Sequence, residues 1–479
     1  MRSSKRTLKQ FVDTNKDIIW VLTLSGGMRA LVCILTNNVP GDADDRALIA
    51  GAWAAAPHLI RTGIWLPLHF YATGLLTFVF GNPITAGKVL SFLTGTLTTI
   101  PLFRLVQRLF DRQTALIAAL YFAFFGNHVG LSSEVMSEAP FVLVAIWGLD
   151  VFFSEFHADV PRLNRFLISG MLIGVAGGFR QEGWQLAGIL GAYLVFAPKV
   201  RRYAISFTVV GLSSYVLWTL LQVTAGYDLL FAIGIVGHAK SYEALYAQFS
   251  PQENVLRWVW IFVQSPGPVL SVLAFSGMYL ALRRRANRDL AIVAALLLSP
   301  YVILSLVKPE WAPQSRYVVL FTTLIIPYAA AATILIAKRG YALRLVVSVV
   351  LIITILSQAI AYHRKSRLFL PCQDYDANDI AAWKWLSANV EPTSEVIVED
   401  VDWRGPSIIV HAGLYSHNNH IFFSFDKPEV LERLLAADSS TKLIVLHSPL
   451  SKWAFLKLLN ATTIFQNNDY KILRVVPTF

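Results

Sequence analysis

The sequence predicts a polytopic α-helical membrane protein with a small soluble α/β domain at its C-terminal end, and three observations carry that prediction. Of 479 residues, 55% are hydrophobic and only 15% are charged, with positive mean hydropathy; soluble domains carry about 25% charge. Apolar stretches of near-membrane length recur as far as about residue 362, and Lys and Arg gather at every second boundary between them. From about residue 371 the composition turns polar, with 13 Asp and Glu against 9 Lys and Arg.

Stretches that cross, or nearly cross, a hydrocarbon core of about 30 Å occupy 18–36, 85–103, 113–127, 139–154, 166–178, 184–197, 203–223, 268–282, 290–307, 317–337 and 343–362. These make about eleven transmembrane helices, those at 166–178 and 184–197 being short. Short cytoplasmic loops carry an excess of Lys and Arg. The clusters Arg2/Lys5/Arg6/Lys9/Lys16, Arg104/Arg108/Arg112, Arg162/Arg165, Lys199/Arg201/Arg202, Arg283/Arg284/Arg285/Arg288 and Lys338/Arg339/Arg344 fit eleven spans with a cytoplasmic N-terminus. The net charge of +11 is then topological, and the expected partners include membrane lipids but no nucleic acid. A basic stretch precedes the first apolar segment, but that segment is long and no small-residue cleavage site follows it, so it reads as a retained helix. Cys33 and Cys372 form no metal or disulfide pattern.

This gives a membrane domain over 1–370 and an external soluble domain over 371–479. In the latter, Asp376–Asn389 has helical spacing through Ile380, Trp383 and Leu386, Glu395–Glu399 and Lys442–His447 read as short buried strands, and Glu429–Ala436 and Pro449–Leu459 read as helices. Alternating strand and helix argues for an α/β layer. No Gly-rich phosphate fingerprint opens a helix, so no cofactor is assigned. The segment 224–265, rich in aromatics, is the other large connection on the outer side.

The outer loops differ in kind from the arginine-studded inner ones. Asn38-Val-Pro-Gly-Asp-Ala-Asp-Asp-Arg46 places Asp42, Asp44 and Asp45 directly after the first span, followed by Trp53, Pro57, His58, Trp65, Pro67, His69 and Tyr71. Three further polar clusters follow: Ser132–Glu138, Phe179–Gly183 with Arg180 and Glu182, and Lys308–Tyr317 with Arg316. Carboxylates with cations at a membrane surface suit a reaction on an anionic, lipid-borne substrate. A sugar on a polyprenyl phosphate has a readily departing anionic leaving group. The enzyme then needs cations for the developing charge and a carboxylate to take the proton of the incoming hydroxyl. Asp42 suits the base, and Arg180, Lys308 and Arg316 suit the phosphate, Arg by bidentate contact.

In their order these features resemble the GT-C superfamily of polytopic glycosyltransferases, which includes protein O-mannosyltransferases and aminoarabinose transferases. Gly41-Asp42-Ala-Asp-Asp45 is similar to its first-loop acidic motif, Trp65-Leu-Pro-Leu-His69 to its Pro-rich stretch, and Phe80-Gly81 to the pair before the next span. Ser137-Glu138-Ala-Pro140 resembles its Glu-Pro signature, and Ser315-Arg-Tyr317 with Pro327 its late motif near the lipid phosphate. The resemblance covers about residues 18–362 and implies an aspartate base in the first external loop, with Glu138, Arg180, Glu182, Lys308, Arg316, Tyr317 and His69 binding substrate. It also implies a polyprenyl-phosphate sugar donor, a glycan, lipid or protein acceptor, and a site outside the cytoplasm; the compact loops favour a prokaryotic inner membrane. Many relatives carry Asp-Glu where this chain has Asp44-Asp45, which leaves the identity of the base open among the three aspartates.

Plainer roles compete at each position. The aspartates could cap the helix expected over Arg46–Ala56. The Asp42-x-Asp44 spacing could also hold a divalent cation, although a lipid-phosphate donor requires no cofactor. Arg29, inside the first span, is expected to pair within the bundle. Arg180 and Glu182 could simply pair with each other, Arg316 could be an interfacial anchor, and His58, His69 and His128 suit local hydrogen bonding. The rival function is a transporter or flippase of a lipid-linked or anionic solute, for which inverted repeats would be expected; a structural assembly factor is a third reading.

Overall fold

The computed structural model describes residues 2–35, 38–61, 65–226, 250–284, 287–307, 314–340, 345, 348–349, 352, 372–375, 377–391, 394–399, 404–416, 420–423, 442–447 and 461–475. The last apolar stretch at 343–362 lies almost wholly outside these residues. So do Lys308, most of the 224–265 connection and the helices expected at 429–436 and 449–459. The described helices are α1 Arg2–Leu35, α2 Gly41–Ala55, α3 Leu68–Phe80, α4 Pro83–Leu97, α5 Thr99–Leu109, α6 Arg112–Ala123, α7 Gly126–Leu131, α8 Glu138–Phe156 and α9 Leu163–Phe179. They continue as α10 Glu182–Val195, α11 Ala204–Gly211, α12 Ser213–Thr224, α13 Pro251–Gln264, α14 Pro268–Arg284, α15 Arg288–Val307, α16 Val319–Ala337, α17 Ala377–Asn389 and α18 Arg404–His411. The strands are β1 Asn38–Pro40, β2 Cys372–Asp374, β3 Glu395–Glu399, β4 His420–Phe423, β5 Lys442–His447, β6 Ala461–Gln466 and β7 Tyr470–Val475.

The chain divides into two compact units. The first comprises residues 1–36, 60–69 and 88–370. Among the described residues, six helical segments are long and apolar enough to cross a membrane: Lys16–Ile34, Pro83–Leu109, Glu138–Phe156, Arg201–Thr224, Arg288–Val307 and Ser315–Ala337. Each matches one of the expected spans. The stretches at 166–178 and 268–282 form shorter apolar helices, α9 and α14. The expected span at 113–127 is instead the 12-residue α6, followed by a break and the short α7. Twelve residues rise only about 18 Å. Helix α6 is not a lipid-facing span: Ala115, Ala118, Ala119 and Phe122 are fully buried, and Tyr121 Oη lies 2.9 Å from Thr333 Oγ1 of α16.

Helices α8 and α16 are the most enclosed, which is why their apolar residues run all the way round. Close approach rather than bulk packs their neighbours. A Cβ at Gly170 or Gly174 of α9 would lie 2.9 or 3.1 Å from backbone oxygens of Phe207 and Val210 on α11, a small-residue contact typical of helices in lipid. At the C-terminal end of α8, Asp150 pairs with Arg104 and Arg108 at 3.2 and 3.3 Å, and Glu155 with Arg162 at 3.3 Å. The basic loops thus gather around one end of this helix. Arg29 donates from Nη1 to Ser25 Oγ and O, and its Nη2 lies 3.0 Å from His128 Nδ1, so it is paired inside the bundle.

The second unit comprises residues 37–59, 70–87 and 371–479. The acidic segment therefore clusters with the C-terminal residues and not with the spans that flank it in sequence. Strands β1 and β2 pair antiparallel, Val39 opposite Gln373, which ties the start of the acidic segment to the chain after the last span. The main sheet has the order β4-β3-β5-β7-β6, with β4, β3 and β5 parallel and β7 and β6 antiparallel. Val396, Ile397 and Val398 and the run Leu443–Leu446 are buried, as continuous apolar runs in covered parallel strands should be. Helix α17 buries Asp379, Ala382, Trp383 and Leu386, whereas Ile380, expected on its inner face, is exposed. Tyr470 Oη donates to Asp379 Oδ1 at 2.5 Å, and that polar contact sets the rotation of the helix.

Candidate functional site

In the first unit, the expected clusters Ser132–Glu138, Phe179–Gly183 and Ser315–Tyr317 come together. Arg180 occupies the turn between α9 and α10. The turn is tight because Gly177 and Gly183 face each other: a Cβ on Gly183 would lie 2.3 Å from Gly177 N. Arg180 donates from Nε and Nη2 to Glu182 Oε1 at 3.0 and 2.7 Å, and from Nη1 to Glu138 Oε1 at 2.5 Å. All three side chains are more than nine-tenths buried. Glu138 and Glu182 each open a helix, where the N-terminal dipole favours a carboxylate. The Arg180 guanidinium lies 5.9 Å from the centre of the Tyr317 ring, and Arg316 lies 5.4 Å from the same ring. Tyr317 in turn stacks parallel to Tyr301.

Arg180 is therefore not a free cation awaiting a phosphate. Two buried carboxylates already pair with it, and in a low-dielectric site such pairing with hydrogen bonds is what keeps buried groups charged. Glu138 Oε2 has no hydrogen-bond partner and offers a buried acceptor to a hydroxyl. His69 is fully buried in the same unit. Sequence reasoning overlooked Lys88, which sits 3.1 Å from Glu134; a lysine inside an apolar stretch was the available signal.

In the second unit, the helix expected over Arg46–Ala56 begins earlier, at Gly41. Asp42, Asp44 and Asp45 thus lie in and beside its first turn and do not precede it as caps. Asp42 lies 3.8 Å from Arg46, one turn on. Asp44 points elsewhere: it is buried, accepts a hydrogen bond from Tyr375 Oη, and has His411 Nε2 3.4 Å from Oδ1. Tyr375 Oη also lies 2.7 Å from Ser407 Oγ, and the His411 ring stacks on Trp383 at 4.1 Å. Burial pushes the Asp44 carboxyl up, but the His411, Ser407 and Tyr375 contacts outweigh it and hold the group below the usual carboxylate range. Burial and the Asp44 charge raise the Tyr375 phenol well above its ordinary value, so it stays a donor. None of these partners was legible beforehand, since Tyr375 and Asp44 are 331 residues apart.

A helix turns about 100° per residue, so Asp42 and Asp44 face nearly opposite ways and Asp45 lies nearer Asp42. The Asp42-x-Asp44 pair does not fit a chelate. Among the described residues, no group of three or more His, Cys, Asp or Glu is placed to hold a metal ion.

Residues 65–224 match the sequence model of the dolichyl-phosphate-mannose-protein mannosyltransferase family. No curated protein matches the chain by sequence. Among solved structures, ArnT from Cupriavidus metallidurans bound to undecaprenyl phosphate is similar with a TM-score of 0.69 at 13% identity, over 97% of this chain and 99% of that one. The Archaeoglobus fulgidus oligosaccharyltransferase in complex with Zn and sulfate gives 0.58 at 16% identity, over 82% of this chain and 61% of that one. Archaeal oligosaccharyltransferase AglB from the same organism, in complex with an inhibitory peptide and a dolichol-phosphate, gives 0.56 at 14% identity, over 84% and 64%. The chain spans less than two thirds of these last two structures but nearly all of ArnT. It is a multi-pass membrane protein with the fold of the GT-C glycosyltransferases, and its residues 65–224 carry the sequence pattern of their protein-mannosyltransferase family.

Proposed function

We propose that the chain is a membrane glycosyltransferase that moves one sugar from a polyprenyl-phosphate donor to a hydroxyl or amine of a glycan, lipid or protein acceptor, with inversion. The observation that supports this most is a fold shared along nearly its whole length with a protein solved holding undecaprenyl phosphate. Asp42, or failing it Asp44 or Asp45, takes the acceptor proton. Arg316 and Lys308 supply the positive charge that meets the departing phosphate. Arg180 holds Glu138 and Glu182 so that Glu138 Oε2 can accept from a sugar hydroxyl, and Tyr317 and His69 shape the same binding region. The site lies on the external face, by the distribution of basic loops, and the compact loops favour a prokaryotic inner membrane. This chemistry requires no resident cofactor. A divalent cation, if it takes part, would use Asp42 and Asp45 rather than Asp44, whose oxygens face Tyr375 and His411.

The test is direct. Protein reconstituted in liposomes with a radiolabelled polyprenyl-phosphate sugar and lipid acceptors should yield a new covalent product. Asp42→Asn should cut its rate by on the order of 10³-fold, within the range of general-base catalysis. Label that crosses the vesicle without a covalent product would support the transport reading instead. Repeating the assay with hexosyl and pentosyl donors decides which sugar is carried.

A further inference from the structure

We infer that Asp44 is a positioning residue and not the general base: through Tyr375, Ser407 and His411 it fixes helix α2 to the C-terminal part of its own unit, and so sets the direction in which Asp42 points. The inference rests on the proposed glycosyl transfer and divides the three aspartates that the sequence leaves equivalent.

Four observations support it. Asp44 is buried and engaged at both oxygens, by the Tyr375 hydroxyl and by His411, whereas a base must leave an oxygen for the acceptor. Its partners are Tyr375, just after β2, and His411 and Ser407 on α18, and the Tyr375 and His411 rings pack in turn on Trp383 of α17, so the contact anchors the helix on several elements. Helix α2 packs closely on the same side farther along. A Cβ on Gly51 would lie 2.7 Å from the Tyr415 ring, and Tyr415 Oη donates to Gly81 O at 3.0 Å. Finally, the helical rotation between Asp42 and Asp44 turns Asp42 away whenever Asp44 is held. A carboxylate held below its usual range is also a poor proton acceptor. The charged and titratable groups around Asp44 are His411 and Tyr375 from the other elements, with Asp379 beyond Tyr375, and Asp42, Asp45 and Arg46 on its own helix.

The experiment is a mutant cycle in the full-length protein, assayed by sugar transfer across pH. Tyr375→Phe removes one hydroxyl and keeps the ring; it should lower kcat on the order of 10-fold with the donor KM unchanged, since misaligned groups lose rate before binding. Asp44→Asn should give a similar loss, and the double variant no more than either alone, because both remove one contact. The acidic limb of the kcat profile separates anchoring from mere folding. With the Asp44 charge gone, Asp42 ionises more readily and the limb moves to lower pH in Asp44→Asn. With that charge kept but no longer offset by the Tyr375 hydroxyl dipole, it moves to higher pH in Tyr375→Phe. Asp44→Asn as inactive as Asp42→Asn should be would identify Asp44 as the base and overturn the inference while leaving glycosyl transfer standing. Unchanged kcat and limb in Tyr375→Phe would overturn it equally. If the wild-type chain forms no covalent product, the proposed function fails instead.

Discussion

Two of the buried carboxylate sites among the described residues are stabilised in opposite ways. Glu138 and Glu182 are stabilised by one shared formal charge, Arg180, whose guanidinium reaches both. Asp44 is stabilised chiefly by donors around it, Tyr375 and His411, with Ser407 behind. Removing the cation from the first site would leave two carboxylates facing each other in a low-dielectric interior. Removing one donor from the second would leave a carboxylate with others. The first arrangement is all or none, and the second is graded. That contrast fits the substrate-holding role proposed for the first and an adjustable anchor in the second.

The largest expected effect is at Arg180. Arg180→Ala should abolish transfer, by at least about 10²-fold, and destabilise the first unit by about 3–5 kcal/mol, the usual cost of breaking a buried pair from one side. Arg180→Lys keeps the charge but not the fork that serves both glutamates, so it should fold and remain poorly active. Product formation and thermal unfolding in detergent measure the two effects. Full activity in Arg180→Ala would mean that the cluster is scaffolding and that the contrast with Asp44 is false.

Gly183 comes next, because it permits the turn that presents Arg180. Gly183→Ala places a Cβ against backbone that has no rotamer to escape into. It should cost about 1–3 kcal/mol, as overpacking does, and lower kcat more than it raises the donor KM. Gly188, where a Cβ meets nothing within 4 Å, is the control: Gly188→Ala should leave kcat and the donor KM unchanged and, by helix propensity, cost no stability.

How far each site could be read from the sequence follows the same division. Six of the eleven expected spans were legible because length and uniform hydropathy are local, and β3 and β5 because they are continuous Val, Ile and Leu runs between polar residues. Strands β6 and β7 escaped notice: Thr462 and Thr463 are exposed on an edge strand, which gives no clear alternation. Arg180 and Glu182 stand two residues apart and announce themselves, while Glu138 needed a motif. For Asp44 the sequence offered a cap, a base or a metal ligand. Its actual partners depend on a clustering of residues 37–59 with the chain beyond 371, which no local signal encodes. Ile380 misled for a related reason: apolar periodicity cannot foresee a buried Tyr470–Asp379 hydrogen bond that rotates the helix.

The graded character of the second unit should appear in its response to pH. The carboxyl of Asp44 is lower in the folded state than the ordinary value of about 3.9. Its contribution to stability is therefore present above that value and lost as pH falls through the folded one. Relative to the intrinsic amide rate at each pH, hydrogen exchange in peptides covering 404–416 should accelerate on acidification, and Asp44→Asn should remove that dependence. An acid response unchanged in Asp44→Asn would place its source in other carboxylates.

The smallest effect has the opposite sign and comes from Glu399, at the end of β3. It is buried, accepts from the His447 backbone N–H at 2.8 Å, and its other oxygen has no partner. Burial raises its carboxyl to about 7, above the unfolded value of about 4.3. The stability this gives is complete below the unfolded value and is lost as pH rises through about 7. Relative to the intrinsic amide rate at each pH, peptides covering 394–399 and 442–447 should thus exchange faster between mildly acidic and neutral pH, whereas those near Asp44 do not. Glu399→Gln, neutral at every pH, should abolish that acceleration without altering sugar transfer, which separates the sheet from the anchor within a single unit. If the acceleration persists in Glu399→Gln, the neutral-pH loosening arises elsewhere in the sheet, and the graded response belongs to the unit as a whole rather than to its individual carboxylates.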